Sequence, residues 1–306
     1  MSRVVVTGAT GMIGSAVCAA LVERGDSVVA LSRDPARAGD ALGDGVEAQA
    51  WKEPGASPPP AAALAGADAA IHLLGEPIDQ RWSADAKRRI RDSRVLSTRM
   101  LVAGLRELAD ADRPAALVSQ SATGFYGPSD DRELDERAPA GSDFLARVVD
   151  AWEAEARAAS GLLRVVETRT GVVLSRSGGA LAKMLPFFRA GVGGPVAGGR
   201  QYVPWVHLED VVGALLRCAD SPQLDGPVNV TAPAPVTNGE LSRTLGRVLH
   251  RPALLPVPAL ALRALYGEMS ELVTTGQRVV PSRLLDTGFE FGHPALEPAL
   301  RDVLDG

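Results

Sequence analysis

Three glycines near the start of the chain have the spacing of a phosphate-binding turn. Residues 7–14 read TGATGMIG, so Gly8, Gly11 and Gly14 form a GxxGxxG pattern between an apolar strand and a helix. Glycines here permit a tight turn and let a pyrophosphate approach the backbone at the positive N-terminus of the helix. The pattern predicts a dinucleotide site, the alternative being a structural turn that binds no ligand.

The end of the second predicted strand indicates which dinucleotide would bind. An acidic residue about 20 positions after the glycines would bind the ribose 2′-hydroxyl of NAD. The chain instead has Ser32 and Arg33, with Asp34 one residue further on. Because a guanidinium fork and a hydroxyl suit a 2′-phosphate, we expect NADP(H) as the cofactor. The alternative is that Arg33 is only a solvated side chain before a helix.

Strand and helix patterns alternate along the first 172 residues, with short links between them. Strands are predicted at 4–8, 27–33, 46–51, 69–75, 115–123 and 164–171. Helices are predicted at 12–25, 82–110 and 143–159. This alternation is typical of an α/β Rossmann fold, a doubly wound parallel sheet with helices on both faces. We therefore expect residues 1–172 to form an NADP(H)-binding domain.

The periodic pattern weakens after about residue 172. A Gly-rich link, GVGGPVAGG at 191–199, precedes a predicted helix at 207–220 and a strand at 227–233. We expect 206–232 to return to the first domain. The remaining segments, 173–205 and 233–306, are predicted to form a smaller mixed C-terminal domain that carries the substrate.

Composition narrows the classes of partner. The 306 residues are 46% hydrophobic and 23% charged, as is usual for a globular protein. No apolar run approaches the ~18 residues of a membrane span, so no membrane association is expected. A net charge of −5 without a basic run argues against nucleic acid and leaves a small-molecule substrate. The chain opens directly into a strand, which predicts a cytoplasmic location, and nothing indicates an oligomeric state.

The spacing of cysteines and histidines matches no metal-binding motif. The two cysteines lie in helical segments without a CxxC neighbour, which is typical of small buried hydrophobic residues. No HxxxH or HExxH pattern is formed by the four histidines, His72, His207, His250 and His293. The sequence therefore predicts no metal site.

Segments along nearly the whole chain are similar to one family. They are TGATGMIG (7–14), HLLGEPI (72–78), RWSADAKRRIRDSRVLSTR (81–99), SATGFYG (121–127), RTGVVLS (169–175), GGALAKMLPFFRAGVGGPVAGGRQYVPWVH (178–207) and GFEFGHPALEPAL (288–300). The chain resembles the extended short-chain dehydrogenase/reductases, and within them the atypical "epimerase family protein" branch. That branch has a C-terminal domain of unknown function, here about 250–304. The resemblance implies a Rossmann core that binds NADP(H), with a smaller C-terminal part closing over it, and no known substrate.

The resemblance also implies which residues contact the cofactor. Besides the three glycines, Ser32 and Arg33, they are Thr10, Met12, Ile13, Leu73, Leu74, Gly75, Arg94, Ser119, Gly171 and Val172. Several of them follow predicted strands, at the edge of the sheet where this fold binds a dinucleotide.

The helix that carries the proton-transfer pair of this family lacks that pair here. Extended reductases use Tyr-x-x-x-Lys, in which the lysine lowers the tyrosine pKa so that the phenol can exchange a proton with substrate. The residues four positions after the three tyrosines are Asp130, Val206 and Ser270. Alignment with the family pattern places Leu145 and Val149 at the two positions, so the usual mechanism is absent.

Three residues are therefore the catalytic candidates. Ser121 matches the substrate-binding serine of the family and could bind a carbonyl or hydroxyl group. Tyr126 could supply a phenol or simply pack in its turn, and Glu76 could act as a base or cap a loop. Arg169 could pair with an anionic substrate or with a neighbouring carboxylate, and His207 is more typical of a residue that fastens a helix.

Two functions are compatible with these residues. One is an NADP(H)-binding oxidoreductase or epimerase-like enzyme that acts on a small oxygenated substrate in a cleft between the two domains. The other is a non-catalytic NADP(H)-binding sensor or scaffold protein that keeps the glycine pattern and has lost turnover. Since one fold hosts many functions, only the site can distinguish them.

Overall fold

The structure is a computed structural model that describes residues 1–305. Its strands, in chain order, are β1 (Arg3–Thr7), β2 (Ser27–Ser32), β3 (Val46–Ala50), β4 (Ala69–His72), β5 (Ala116–Ala122), β6 (Glu133–Leu134), β7 (Arg164–Thr170), β8 (Val172–Leu174), β9 (Tyr202–Val203), β10 (Trp205–His207), β11 (Gly226–Val230), β12 (Val236–Thr237) and β13 (Arg278–Val279). Its α-helices are α1 (Met12–Glu23), α2 (Pro35–Leu42), α3 (Ala61–Leu64), α4 (Ala84–Glu107), α5 (Phe144–Arg157), α6 (Gly179–Arg189), α7 (Leu208–Asp220), α8 (Asn238–Val248), α9 (Ala259–Tyr266), α10 (Glu271–Thr274), α11 (Ser282–Asp286) and α12 (Leu296–Asp305).

Seven strands form one parallel sheet in the order β11-β7-β5-β4-β1-β2-β3. The chain builds outward from β1 to β3, then crosses back to β4 and builds in the opposite direction. Such a reversal opens a crevice at the carboxyl ends of the strands beside β1 and β4, where this kind of fold binds its ligands. The predicted doubly wound α/β fold is confirmed.

The apolar runs of the strands become buried because helices cover both faces of the sheet. Along β1, Val4 and Val6 face one hydrophobic core, which also contains α1 and α7 residues, and Val5 faces the other, which contains α4 residues. All three valines are at most 2% exposed. Side chains alternate along a strand, so neighbouring valines stabilise opposite layers of the molecule.

The C-terminal part of the chain contributes to the main sheet and also forms a smaller unit. The helix α7 packs on α1, and β11 pairs with β7 at the sheet edge. Pairs of short strands, β8 with β10, β9 with β12 and β6 with β13, lie outside the main sheet. A separate hydrophobic core joins Leu185, Trp205, Leu245 and Leu300 from four elements.

Two further features of the structure concern the length of the predicted fourth strand and the prediction that the chain does not cross a membrane. The strand predicted to extend to residue 75 ends at His72, and the carbonyl of the next residue, Leu73, lies close to Gly8 of the glycine turn. Among residues 1–305, none of the helices has both the length and the apolar character that crossing a membrane requires.

Candidate functional site

The glycine turn between β1 and α1 leaves no room for side chains. A Cβ on Gly14 would lie 2.2 Å from the Gly8 carbonyl oxygen, and one on Gly8 would lie 2.8 Å from the Leu73 carbonyl oxygen. Gly8 also has a φ of +67°, which favours glycine. Helix α1 starts after Gly11, and no side chain in the described chain caps it. Its first N–H groups are therefore directed at the crevice, as an anionic pyrophosphate requires.

The other predicted contacts of the turn lie on the first turn of α1 or just before it. Thr10 is exposed, and Met12 and Ile13 are half-buried. The Met12 sulfur lies 3.2 Å from the position of a Cβ on Gly178, just before α6. The smaller unit of the chain thus contacts the start of α1 at the crevice.

The end of β2 presents a cation that has no partner among residues 1–305. Arg33 is exposed and makes no hydrogen bond or ion pair there. The Asp34 carboxylate instead accepts a hydrogen bond from the Arg37 N–H at 3.1 Å and caps α2. The Ser32 hydroxyl bonds to the Asp34 backbone at 3.1 and 3.2 Å. Because the acid is engaged in the cap, the group free to meet a ribose substituent is the guanidinium.

The loop after β4 is held by an arginine from α4. Arg94 donates to the backbone oxygens of Glu76 at 2.9 Å and Ile90 at 3.0 Å. Its guanidinium carbon lies 5.3 Å from the Trp152 ring centroid and 3.0 Å from the position of a Cβ on Gly75. Burial lowers the pKa of Arg94 to about 10, so it stays charged at neutral pH. The arginine therefore supports this border of the crevice.

The remaining predicted cofactor residues lie at the carboxyl edge of the sheet. They are the half-buried Leu73, Leu74, Gly171 and Val172 and the buried Ser119. Ser119 pairs with His72 in the register of β5 and β4. Its hydroxyl has no hydrogen-bond partner within residues 1–305. A buried hydroxyl without a partner is unusual, and a ligand in the crevice is one way to satisfy it.

Ser121 belongs to a buried polar network. Its hydroxyl donates to Glu153 Oε1 at 2.6 Å. Arg169 holds the same carboxylate at two points, from Nε to Oε1 at 2.8 Å and from Nη2 to Oε2 at 2.9 Å. The register of β5 and β7 places Ser121 opposite Arg169, so one strand pair and helix α5 assemble the network.

Tyr126 joins this network from the short 3-10 helix Thr123–Tyr126. Its hydroxyl donates to Asn229 Oδ1 at 2.6 Å and accepts from Arg169 Nη1 at 3.1 Å. The Arg169 guanidinium also stacks on the Phe125 ring, with 3.5 Å between Cζ and the ring centroid. Burial raises the pKa of Tyr126 to about 12. The phenol therefore keeps its proton at neutral pH.

Glu76 lies in a different environment from the other two candidates. Its carboxylate is 3.3 Å from Gln80 Nε2 and 3.7 Å from Arg89 Nε, and its side chain is 38% exposed. The structure thus brings Ser121 and Tyr126 together through Arg169, and places Glu76 in a half-exposed cluster beside the loop after β4.

Leu145 and Val149, which stand at the positions of the family's Tyr and Lys, lie beside the C-terminal end of β5. A Cβ on Gly124 would lie 3.6 Å from Leu145 Cβ and 4.0 Å from Val149 Cγ2. Val149 is buried in an apolar cluster with Phe125 and Tyr126. An apolar surface therefore occupies the place from which the usual pair would exchange a proton.

Two residues of this region were not among the sequence candidates. Glu153 follows Leu145 and Val149 at helical spacing, so the 3.6-residue period could have placed it on the face of α5 that meets β5. Thr123 is 6% exposed, and its hydroxyl forms no hydrogen bond with the described residues. Nothing in the local sequence distinguishes Thr123 from a packing residue.

Family models cover most of the chain. The model of the NAD dependent epimerase/dehydratase family matches residues 4–231, and that of a domain of unknown function, DUF1731, matches residues 257–303. The second match covers the C-terminal segment that contains α9, α10, α11 and most of α12.

Individual relatives match over almost their full length. The chain is 43% identical over 303 residues to Epimerase family protein Mb2239 of Mycobacterium bovis, covering 97% of this chain and 96% of that one. It is 38% identical over 306 residues to Epimerase family protein SDR39U1 homolog, chloroplastic, of Arabidopsis thaliana, covering 98% and 86%.

A solved structure matches equally well. The crystal structure of human epimerase family protein SDR39U1 (isoform2) with NADPH superposes with a TM-score of 0.89 at 35% identity, covering 99% of both chains. With the glycine turn and the two family matches, this confirms the resemblance seen in the sequence. The chain belongs to the NAD-dependent epimerase/dehydratase family, as a homologue of the SDR39U1 epimerase family proteins that carries the DUF1731 domain.

Proposed function

We propose that this protein binds NADP(H) and acts as an oxidoreductase or epimerase-like enzyme on a small oxygenated substrate. The observation that carries the cofactor is the exposed, unpartnered Arg33 at the end of β2 in the described chain, beside an Asp34 that caps α2. A planar cation suits a 2′-phosphate, whereas the acid that would bind a 2′-hydroxyl is engaged. The crystal structure of the human relative with NADPH supports the same choice.

The predicted contact residues form three groups, according to the part of the cofactor that each would contact. The pyrophosphate would lie on the turn of Gly8, Gly11 and Gly14 with Thr10, Met12 and Ile13. The 2′-phosphate would lie on Ser32 and Arg33. The rest of the dinucleotide would contact the residues at the carboxyl edge of the sheet, Leu73, Leu74, Gly75, Arg94, Ser119, Gly171 and Val172.

When bound, the nicotinamide would supply or accept a hydride. In this proposal Ser121 and Tyr126 position the end of β5 through Glu153 and Arg169, because both hydroxyls are held in buried hydrogen bonds. Thr123 and Glu76 are then the groups able to contact substrate, the first through a hydroxyl without a partner in residues 1–305. We place the cofactor in 1–172 with 206–232 and the substrate border in 173–205 with 233–306.

One observation favours the second function, an NADP(H)-binding sensor or scaffold. Leu145 and Val149 form an apolar surface at the end of β5, and Tyr126 keeps its proton because its pKa is raised to about 12. A site whose phenol is a weak acid, with its proton held in a buried hydrogen bond to Asn229, can bind the cofactor without turnover. We also propose a cytoplasmic location for this protein. The plant relative differs in this respect, since its name describes it as chloroplastic.

Turnover separates the two functions. The purified protein is mixed with NADPH and a panel of aldehydes, ketones and quinones, and loss of NADPH absorbance is followed for hours. An oxidoreductase should consume NADPH with at least one compound, and Thr123→Val should lower its kcat about tenfold or more, the scale of a lost hydrogen bond in the transition state.

The control variant is Ser160→Ala, which removes an exposed hydroxyl beyond the far end of α5. It should leave both NADPH binding and turnover unchanged. Tight NADPH binding without consumption of cofactor by any compound would reject the oxidoreductase. If the protein loaded with NADP⁺ also epimerises no nucleotide-sugar, the enzyme is rejected and the sensor is supported.

A further inference from the structure

One helix of the C-terminal segment is apolar on every side and exposed to solvent. The helix α9 has the sequence ALALRALY, in which Arg263 is the only charged residue. All of its residues are exposed except Leu262, which is half-buried. Leu260 is 81% exposed and Leu265 is 67% exposed. A helix that is apolar all round normally lies inside a protein core or a membrane, so α9 lacks its usual cover.

The exposed apolar side chains continue from α9 onto a second segment. Backbone hydrogen bonds join residues 187–200 to residues 251–266: the Val257 N–H donates to the Pro195 oxygen at 2.9 Å, and the Ala197 N–H donates to the Val257 oxygen at 3.0 Å. Large exposed apolar side chains on the two segments are Phe187, Val192, Leu254, Leu255, Leu260 and Leu265. We refer to the two segments together as the apolar surface. Exposed apolar side chains grouped in this way mark a site of association.

The charges on the apolar surface are all positive. Neither segment contains an aspartate or a glutamate, although the chain has 37 acidic residues. The two segments carry four exposed arginines, none of which forms an ion pair among residues 1–305, and these are Arg189, Arg200, Arg251 and Arg263. The first acid after α9, Glu268, is paired with Lys87 at 2.6 Å. On a chain of net charge −5, this surface is therefore complementary to an anionic partner.

We propose that the apolar surface docks on an anionic lipid bilayer. Leucine and aromatic side chains enter the boundary between headgroups and acyl chains, and arginines reach the lipid phosphates. A protein partner would instead need about one hydrogen bond per 100–200 Å² of interface. The two segments contain no Ser, Thr, Asn, Gln or His, so their polar side chains are the arginines and Tyr266 alone. This composition favours lipid over protein.

The helix α9 would lie in the plane of the membrane surface. It has eight residues, whereas a helix that spans a bilayer needs about 20. The expectation of no membrane association rested on that length, which a helix lying on the surface does not require. Docking goes beyond the proposed enzyme function and does not depend on it, because neither segment contains a predicted NADP(H) contact.

Vesicle sedimentation of the full chain tests the proposal. Vesicles of phosphatidylcholine with about one-third phosphatidylglycerol are compared with vesicles of phosphatidylcholine alone. We expect the parent to bind the anionic vesicles about tenfold or more tightly than the neutral ones, since each arginine near the surface contributes. High salt should weaken the binding, because ions screen exposed charges.

Four variants test which residues carry the binding. Leu260→Asp and Leu265→Asp should each weaken it about tenfold or more, as loss of a buried leucine requires. Arg263→Gln should weaken it about fivefold, the effect of one arginine near an anionic surface. The matched control is Leu285→Asp, which changes a 48% exposed leucine of α11, outside both segments. It should bind vesicles as the parent does, and circular dichroism checks that all four variants keep their fold.

Two kinds of result would overturn the proposal. The first is a parent that does not sediment with anionic vesicles, or that binds them no more tightly than Leu260→Asp does. The second is a parent that light scattering shows to be a dimer without lipid, with Leu260→Asp as a monomer, because the apolar surface would then be covered by a second copy of this chain.

Discussion

Arg169 and Glu153 form a two-point ion pair in the interior of the protein. The distances are 2.8 Å from Nε to Oε1 and 2.9 Å from Nη2 to Oε2, and the two side chains are 4% and 1% exposed. Ser121 donates to this glutamate, and Tyr126 accepts from this arginine. The two hydroxyl groups predicted for catalysis therefore depend on one buried ion pair.

Breaking that pair should destabilise the protein strongly. Arg169→Met removes the two-point partner of the buried Glu153 carboxylate and leaves it only the Ser121 hydroxyl and the partly exposed Arg157, which donates to Oε2 at 3.1 Å. We expect the free energy of unfolding to fall by about 3 kcal/mol or more. Urea denaturation measures the change. Arg99→Met is the control, since it removes an exposed pair with Glu155 and should cost far less. Similar losses of unfolding free energy in the two variants would show that the buried pair contributes no more to stability than the exposed pair.

Arg33 should determine the choice between the two dinucleotides. The parent is expected to bind NADPH at least tenfold more tightly than NADH, and Arg33→Ala should remove most of that preference by weakening NADPH alone. A charge-assisted contact of about 1.5–3 kcal/mol corresponds to this ratio. The control is Arg37→Ala, which removes an exposed cation of α2. Calorimetry that finds equal affinities in the parent would reject the assignment.

Gly14→Ala should damage the dinucleotide site. The new Cβ would lie 2.2 Å from the Gly8 carbonyl oxygen, so either the turn or α1 must move. We expect NADPH affinity to fall at least tenfold and the free energy of unfolding to fall by about 1–3 kcal/mol. Gly39→Ala is the control, because a Cβ there meets nothing within 4 Å inside α2. It should stabilise the helix slightly, and an equal loss in both variants would contradict the steric argument.

Glu167 should make stability fall as the pH rises. This side chain is 0% exposed, and neither carboxylate oxygen has a hydrogen-bond partner within residues 1–305. Burial, and then the charge of Glu153, raise its pKa to about 7. Because the unfolded pKa is near 4.3, the folded state binds more protons between these values, and ionisation destabilises it fully above pH ~7.

The neutral variant Glu167→Gln tests this pH dependence. It should be more stable than the parent by about 1–3 kcal/mol near pH ~8.5, and the difference should shrink towards pH ~5. Urea midpoints at the two pH values measure it, with the exposed Glu290→Gln as the control. A difference that is the same at both values would show that Glu167 is not the titrating group.

The sequence alone determined the fold class, the family and the presence of the phosphate-binding turn. These signals are local: the apolar period of each strand and the spacing of Gly8, Gly11 and Gly14 depend on residues a few positions apart. The absence of a Tyr-x-x-x-Lys pair could also be read from the sequence, since none of the three tyrosines is followed by a lysine four positions on. The individual cofactor contacts and the NADP(H) preference stay predictions for the experiments above.

Only the tertiary structure decided how the polar groups are used. Ser121 meets Glu153 and Arg169 because β5 pairs with β7 and α5 packs across both strands. His207 meets His293 because the segment before α12 docks on the start of α7. Burial then sets the charge states, as it raises the pKa values of Tyr126 and Glu167. Contacts between residues distant in the sequence depend on strand register and docking, which no local pattern of residue types encodes.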